Sequence, residues 1–181
     1  HLHEKLCYVP QRGVLVYGTV NSNLKYGAPD TAKEEVEAAA KTAQAYDFVN
    51  KMEDKFDSHI AQGGTNVSGG QKQRLSIARA IIKKPEIYIF DDSFSALDFK
   101  TDAALRQALD KETQGASVLI VTQRISTVMH ADRIVVLDEG KIVGIGSNKE
   151  LLKTCNVYKE IAESQISPEE MEDITNETGT E

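Results

Sequence analysis

Four apolar residues in a row, Ile87-Tyr88-Ile89-Phe90, run directly into two carboxylates, Asp91-Asp92. A continuous apolar run of strand length, without polar alternation, is the pattern of a buried strand in a parallel sheet. Just before it, Gly70–Lys83 reads as a helix whose apolar face carries Leu75, Ala78, Ile81 and Ile82, closed by Pro85. After it, Thr101–Glu112 is amphipathic through Ala104, Leu105, Ala108 and Leu109, and Ser117–Thr122 is a second buried-strand run. Helix, strand, helix, strand in this order implies an α/β fold with a largely parallel sheet.

The flanking segments extend that reading. Lys5–Val9 is a short strand stopped by Pro10. Asn21–Tyr26 forms a helical turn that Gly27-Ala28-Pro29-Asp30 breaks, and Asp30 or Thr31 is expected to cap a helix over Ala32–Ala45. Tyr46–Met52 is a further helical piece, and Asp57–Asn66 reads as loop. Ile134–Leu137 and Ile142–Ile145 flank Asp138-Glu139-Gly140-Lys141, a hairpin signal, and Asn148–Lys153 and Val157–Ser164 are helical. The order describes a parallel sheet with a helical insertion at about residues 19–84, and the sheet needs an earlier strand and helix to be complete. No internal repeat interrupts it.

Composition narrows the class. A chain of 181 residues supplies one ordinary domain with a core. No apolar stretch approaches the roughly 18 residues of a membrane helix. The first residue is His rather than Met, so the chain is expected to begin inside a longer reading frame. The net charge of −7 is concentrated at one end: six acids and no Lys or Arg fall within 167–181, leaving 21 basic and 22 acidic residues in 1–166. The tail is expected to be disordered, and the body shows no basic stripe for nucleic acid. Cys7 and Cys155 lack metal-ligand spacing. Cys7 sits in an apolar strand and reads as a small core residue rather than a reactive thiol.

Two places carry chemistry. Ser68-Gly69-Gly70-Gln71 opens a helix, and small residues there let backbone N–H groups and the positive end of the helix dipole approach an anion. Ser68 offers a hydroxyl, as helix cap or as phosphate ligand. The strand that begins seventeen residues beyond Gly70, at Ile87, ends in Asp91 and Asp92, where open α/β sheets place ligands. One carboxylate can hold Mg²⁺ through water, and the other can polarise an attacking water. A pair of capping aspartates is the competing reading.

Together these segments resemble the ATP-binding cassette (ABC) ATPase family along nearly all of residues 5–164. Tyr8-Val9-Pro10-Gln11 looks like the Q-loop, Val67-Ser68-Gly69-Gly70-Gln71 like the signature motif, and Ile87–Asp91 like Walker B. Ser95-Ala96-Leu97-Asp98 looks like the D-loop, and Arg74–Ala80 matches the usual continuation of the signature helix. The resemblance implies a partial P-loop NTPase (RecA-like) sheet with an ABC helical subdomain at about 19–84, and the C-terminal portion of an ATPase domain over 1–166. It implies ATP and Mg²⁺ as cofactors, with Asp91 and Gln11 toward the metal, and Asp92, Gln123 and Gln11 in catalytic positions. Ser68, Gly69, Gly70 and Gln71 would bind, in trans, a nucleotide held mainly by a second subunit, with Ser95 and Asp98 in the D-loop. The stretch from Gly18 to Gly27 looks like exporter-type cassettes, and Gln62 falls near a loop that in exporters contacts the transmembrane domain.

The sequence departs from the family in three ways. No Gly-x-x-x-x-Gly-Lys-Ser/Thr phosphate cradle occurs, so this chain alone is expected to bind ATP poorly and not to hydrolyse it. Asp92 stands where active members carry Glu, and Gln123 where they carry the switch His. A base retracted by about 1 Å can lose about a hundredfold in rate. Gln cannot carry a positive charge, though its amide still donates a hydrogen bond. The two departures fall in one site, as in the degenerate subunit of heterodimeric multidrug-type exporters. The expected function is the ATP-driven motor of a membrane exporter, at the cytoplasmic face of the cell membrane, working with a transmembrane domain and a second ABC subunit. A soluble ABC ATPase acting on nucleic acid or ribosomes is the alternative, and it lacks support from any long basic or coiled-coil insertion between Gln11 and Ser68. The transported substrate is not written in these residues.

Overall fold

A computed structural model describes residues 5–167, so the acidic tail expected to be disordered lies outside the described residues, apart from Ser167. The chain divides into two compact units between Val121 and Thr122. The first contains, in chain order, β1 (Leu6–Val9), β2 (Gly18–Thr19), α1 (Val20–Leu24), α2 (Lys33–Thr42), α3 (Tyr46–Asn50), β3 (His59–Ile60), α4 (Gly69–Lys83), β4 (Ile87–Asp91), α5 (Phe99–Glu112) and β5 (Ser117–Val121). The second contains α6 (Ile125–Val128), β6 (Ile134–Asp138), β7 (Lys141–Gly146), α7 (Asn148–Thr154) and α8 (Asn156–Gln165).

The central sheet of the first unit is parallel, in the order β1-β4-β5. Paired residues of adjacent strands share a face. Val9 pairs with Phe90 and Cys7 with Tyr88, so these side chains face one way, into a core that also holds Leu75, Ile77, Ala80 and Ile81 of α4 and Leu105 and Leu109 of α5. Cys7 packs against that core half-buried, and the same burial pushes its thiol pKa up, as the core reading of this residue expects. Tyr8, Ile89, Leu119, Val121 and Asp91 share the opposite face. There the sequence reading needs correction: β5 is not buried, with Leu119 and Val121 exposed on this face and Val118 exposed on the other. Tyr8, Leu119 and Val121 stand exposed on this face, and an apolar run records what a strand is suited to bury, not whether its cover is present.

The helical block is held by polar side chains turned inward. Asn23, fully buried at the end of α1, accepts from Val16 N–H and donates to the Val16 and Thr19 carbonyls. Arg79 of α4 reaches back to it, donating to the Asn23 backbone carbonyl at 2.8 Å, its side-chain oxygen at 3.0 Å and the Val14 carbonyl at 3.0 Å. Arg74, one turn earlier, donates to the Gln44 carbonyl and lies over the Phe48 ring. The expected caps of α2 are not used: its N-cap is Ala32, with no side-chain hydrogen bond, and the Thr31 hydroxyl donates instead to the Ala28 carbonyl. The helix also stops at Thr42, short of Ala45, because Gln44 turns into the left-handed region. The segment read as loop at Asp57–Asn66 contains a two-residue antiparallel ladder, Gly18–Thr19 against His59–Ile60. Two residues are too few to show a strand period in sequence.

In the second unit, β6 and β7 form the expected antiparallel hairpin. Glu139 and Gly140 both take positive φ, as a two-residue turn matched to strand twist requires. Gly144 is needed for close packing, since a Cβ there would lie 2.9 Å from a Leu151 methyl and 3.0 Å from Cys155 Sγ.

Candidate nucleotide-binding and catalytic site

The site is organised around the end of β4. Asp91 is the last strand residue, and Asp92 turns into the left-handed region at φ 45°, a conformation Asp tolerates better than most residues. Its N–H donates to the Val121 carbonyl at 2.7 Å, tying the turn to the end of β5. The buried Ser93 hydroxyl donates to the Val9 carbonyl at 2.7 Å, tying the same turn to the end of β1. The carboxylates are therefore set by backbone on both sides.

These ties bring the Q-loop segment to the carboxylates. Gln11 Nε2 donates to Asp92 Oδ2 at 2.8 Å, and the Tyr8 phenol donates to Asp91 Oδ2 at 2.7 Å. That bond to a carboxylate raises the Tyr8 pKa, because a phenolate could neither donate it nor tolerate the neighbouring charge. Pro10 is fixed from α4, where the buried Gln73 donates Nε2 to its carbonyl at 3.0 Å. Gly13 lies so close to α4 that a Cβ would fall 2.7 Å from the Lys72 carbonyl oxygen.

The helix start at Ser68 is built as a capping box. The Ser68 hydroxyl accepts from Gln71 N–H, and the Gln71 side-chain oxygen accepts from Ser68 N–H. The serine is thus a cap in this structure, with its own O–H proton still to donate. A Cβ on Gly69 would meet nothing within 4 Å. Gly70 is tight instead, since a Cβ there would sit 3.2 Å from the Ala96 carbonyl oxygen. The Ser68 helix start therefore lies against the Ser95–Asp98 segment. Ser95 donates to the Asp92 carbonyl at 2.8 Å, and Asp98 caps α5 by accepting from Thr101 N–H at 2.9 Å. Those hydrogen bonds from Thr101 hold the Asp98 carboxyl below its usual range.

The structure so brings Gln11, Asp91, Asp92 and Ser95 together and places Gly70 beside Ala96. Gln123 belongs to the second unit, exposed, where its backbone carbonyl accepts from Gln165 Nε2 at 2.7 Å. Gln165 in turn accepts from Ile125 N–H at 3.0 Å, so one α8 side chain clamps the turn that carries Gln123. His130 is exposed just beyond α6. Sequence reasoning missed Gln73 and Gln165 as positioning groups. Gln73 left a signal, a polar residue within a helix that is otherwise buried along much of its length. Gln165 left none.

Asp91 and Asp92 offer hard carboxylate oxygens at a strand end, the donor type Mg²⁺ takes when it keeps most of its shell for water and phosphate. Among the described residues no cluster of three or more His, Cys, Asp or Glu could hold a metal by protein ligands alone. The donor set fits Mg²⁺ carried with a nucleotide.

Comparison with known proteins identifies the family and the fold. A parallel sheet packed against helices, with carboxylates at a strand end, defines the class as an α/β domain. Residues 1–95 match the sequence profile of the ABC transporter family, and the chain belongs to that family. It is 49% identical over 160 residues to an uncharacterized ABC transporter ATP-binding protein of Mycobacterium tuberculosis, covering 87% of this chain and 27% of that protein. It is 41% identical to the β-(1→2)glucan export ATP-binding/permease protein NdvA of Rhodopseudomonas palustris, covering 91% of this chain and 27% of that protein. A bacterial Atm1-family ABC exporter, solved with ATP bound, superposes with a TM-score of 0.84 at 34% identity, covering 88% of this chain and 28% of the exporter. The chain thus spans little more than a quarter of the length of these relatives. Among the described residues no helix is long and apolar enough to cross a membrane.

Proposed function

We propose that this chain is the C-terminal portion of the ATP-binding domain of an ABC exporter, and that its own Walker-side site is the weakened one of a pair. The observation that carries the reading is the junction of Gln11, Asp91 and Asp92 at the end of β4, with Asp92 in the place of the usual Glu. The exporters among its relatives support the transport role. The phosphate cradle absent from these residues would be supplied by chain preceding residue 1, and the transmembrane domain by the same or a partner chain.

The residues divide the work. Asp91, with Gln11, would hold Mg²⁺, which when bound neutralises charge on the nucleotide phosphates. Asp92 is placed to accept a proton from water, but its side chain is one methylene shorter than Glu and its carboxylate already accepts from Gln11. For Gln11 to turn toward nucleotide, that bond must break. Gln123 supplies a neutral amide donor instead of an imidazole. Ser68, Gly69, Gly70 and Gln71 present a capped helix start whose N–H groups and Ser68 hydroxyl would meet the nucleotide of a second subunit. The Ser95–Asp98 segment beside Gly70 links the two roles.

The test is made in the full-length transporter. Asp92→Glu combined with Gln123→His is expected to raise ATP hydrolysis at this site at least tenfold, read by single-turnover assay with the partner's site silenced. A self-paired transporter of this subunit that already hydrolyses ATP at ordinary rates would overturn the weakened-site reading.

A further inference from the structure

We infer that Tyr8 is a positioning residue for the Asp91 carboxylate, fixing the orientation in which that carboxylate meets the metal of a bound nucleotide. The inference rests on the reading of Asp91 given above. The strand register brings the two together. Tyr8 pairs with Ile89, so its side chain stands on the same sheet face as Ile89 and Asp91, one diagonal step from the latter. The phenol spans that step and donates to Oδ2 at 2.7 Å. Among the described residues no other side chain donates to the Asp91 carboxylate.

Orientation is what this bond can contribute. The terminal torsion of an aspartate is broad, so packing alone does not select a carboxylate plane. Mg²⁺ demands near-ideal octahedral geometry, which makes the plane matter. The phenol oxygen of Tyr8 makes the specific contact with the carboxylate. Hydrogen-bond partners behind metal ligands commonly govern affinity by about ten- to a hundredfold when removed.

Tyr8→Phe removes only the oxygen. The measurement is a Mn²⁺ titration of the ATP-loaded full-length transporter by electron paramagnetic resonance, with Mn²⁺ in place of Mg²⁺. Asp91→Asn defines the component that belongs to this site. Tyr8→Phe is expected to weaken that component about tenfold, with ATP affinity in the absence of metal unchanged. The inference is overturned if Asp91→Asn abolishes the component while Tyr8→Phe leaves it within twofold. It is equally overturned if Tyr8→Phe lowers metal-free ATP affinity in proportion, since that marks a general distortion. If Asp91→Asn leaves Mn²⁺ binding untouched, the metal reading of Asp91 falls and the role of Tyr8 falls with it.

Discussion

Asn23 and Gly13 differ in chemistry but share a task, which is to hold the segment after Gln11 against α4. Asn23 saturates its amide on the Val16 and Thr19 backbone and on Arg79. Replacing it with Ala removes the side-chain partner of the part-buried Val16 N–H and carbonyl and of one Arg79 guanidinium N–H. Asn23→Ala is expected to destabilise the complete domain by about 1–3 kcal/mol, read by denaturant unfolding. Gly13 acts by having no side chain. Gly13→Ala forces a Cβ into the Lys72–Gln73 backbone, so a cost of about 1–3 kcal/mol is expected in thermal unfolding, with the Gln11 segment displaced. Neither residue stands out in sequence. An Asn in a short helical turn and a Gly after a Q-loop read as loop chemistry, because their partners are supplied by a helix more than fifty residues away.

The two helices at the site begin with side-chain caps, and the caps can be tested separately from nucleotide binding. Ser68→Ala removes the hydroxyl from the capping box and is expected to cost the domain about 1 kcal/mol in the absence of nucleotide. A much larger loss of ATP-driven subunit pairing in the same variant would separate phosphate binding from capping. At α5 the cap is charged. Asp98 is held below its ordinary range by Thr101, so the folded state binds a proton less readily than the unfolded state there. Its stabilising contribution is therefore complete above the unfolded carboxylate value of about pH 4. It is lost as the pH falls through the lower folded value. Asp98→Asn is expected to flatten that acid limb in a series of denaturant midpoints against pH. The Ser68 start was legible because a cap is local, with Ser68 and Gln71 three residues apart, whereas Asp98 was not read as a cap and the expected start at Thr101 lies inside α5. The cap expected at Asp30 or Thr31 failed for the same reason in reverse. A local signal there had a local competitor, the Ala28 carbonyl.

For the whole molecule, the decisive feature is the uncovered side of the β1-β4-β5 sheet. Leu119 and Val121 expose 55% and 49% of their surface, on the face that carries Tyr8 and Asp91. Residues 1–181 on their own are expected to bind an apolar dye such as ANS, and a longer piece that adds preceding residues is expected to bind less. Equal dye binding by both would count against a sheet completed from upstream. Sequence alone was enough for the α/β class, the order of the longer strands and helices, the hairpin at Glu139-Gly140 and the family resemblance. All of these are short-range patterns of apolar period, turn chemistry and spacing. It also named Gln11, Asp91 and Asp92. Only the tertiary structure decided that Gln11 bonds Asp92 while Tyr8 bonds Asp91, because parallel pairing joins residues some eighty positions apart and its register sets which side chains share a face. It likewise decided that Gln73 turns inward to hold Pro10, and that the β5 run lies exposed. A strand's own residues record its suitability for burial, whereas burial itself is conferred by neighbours in space.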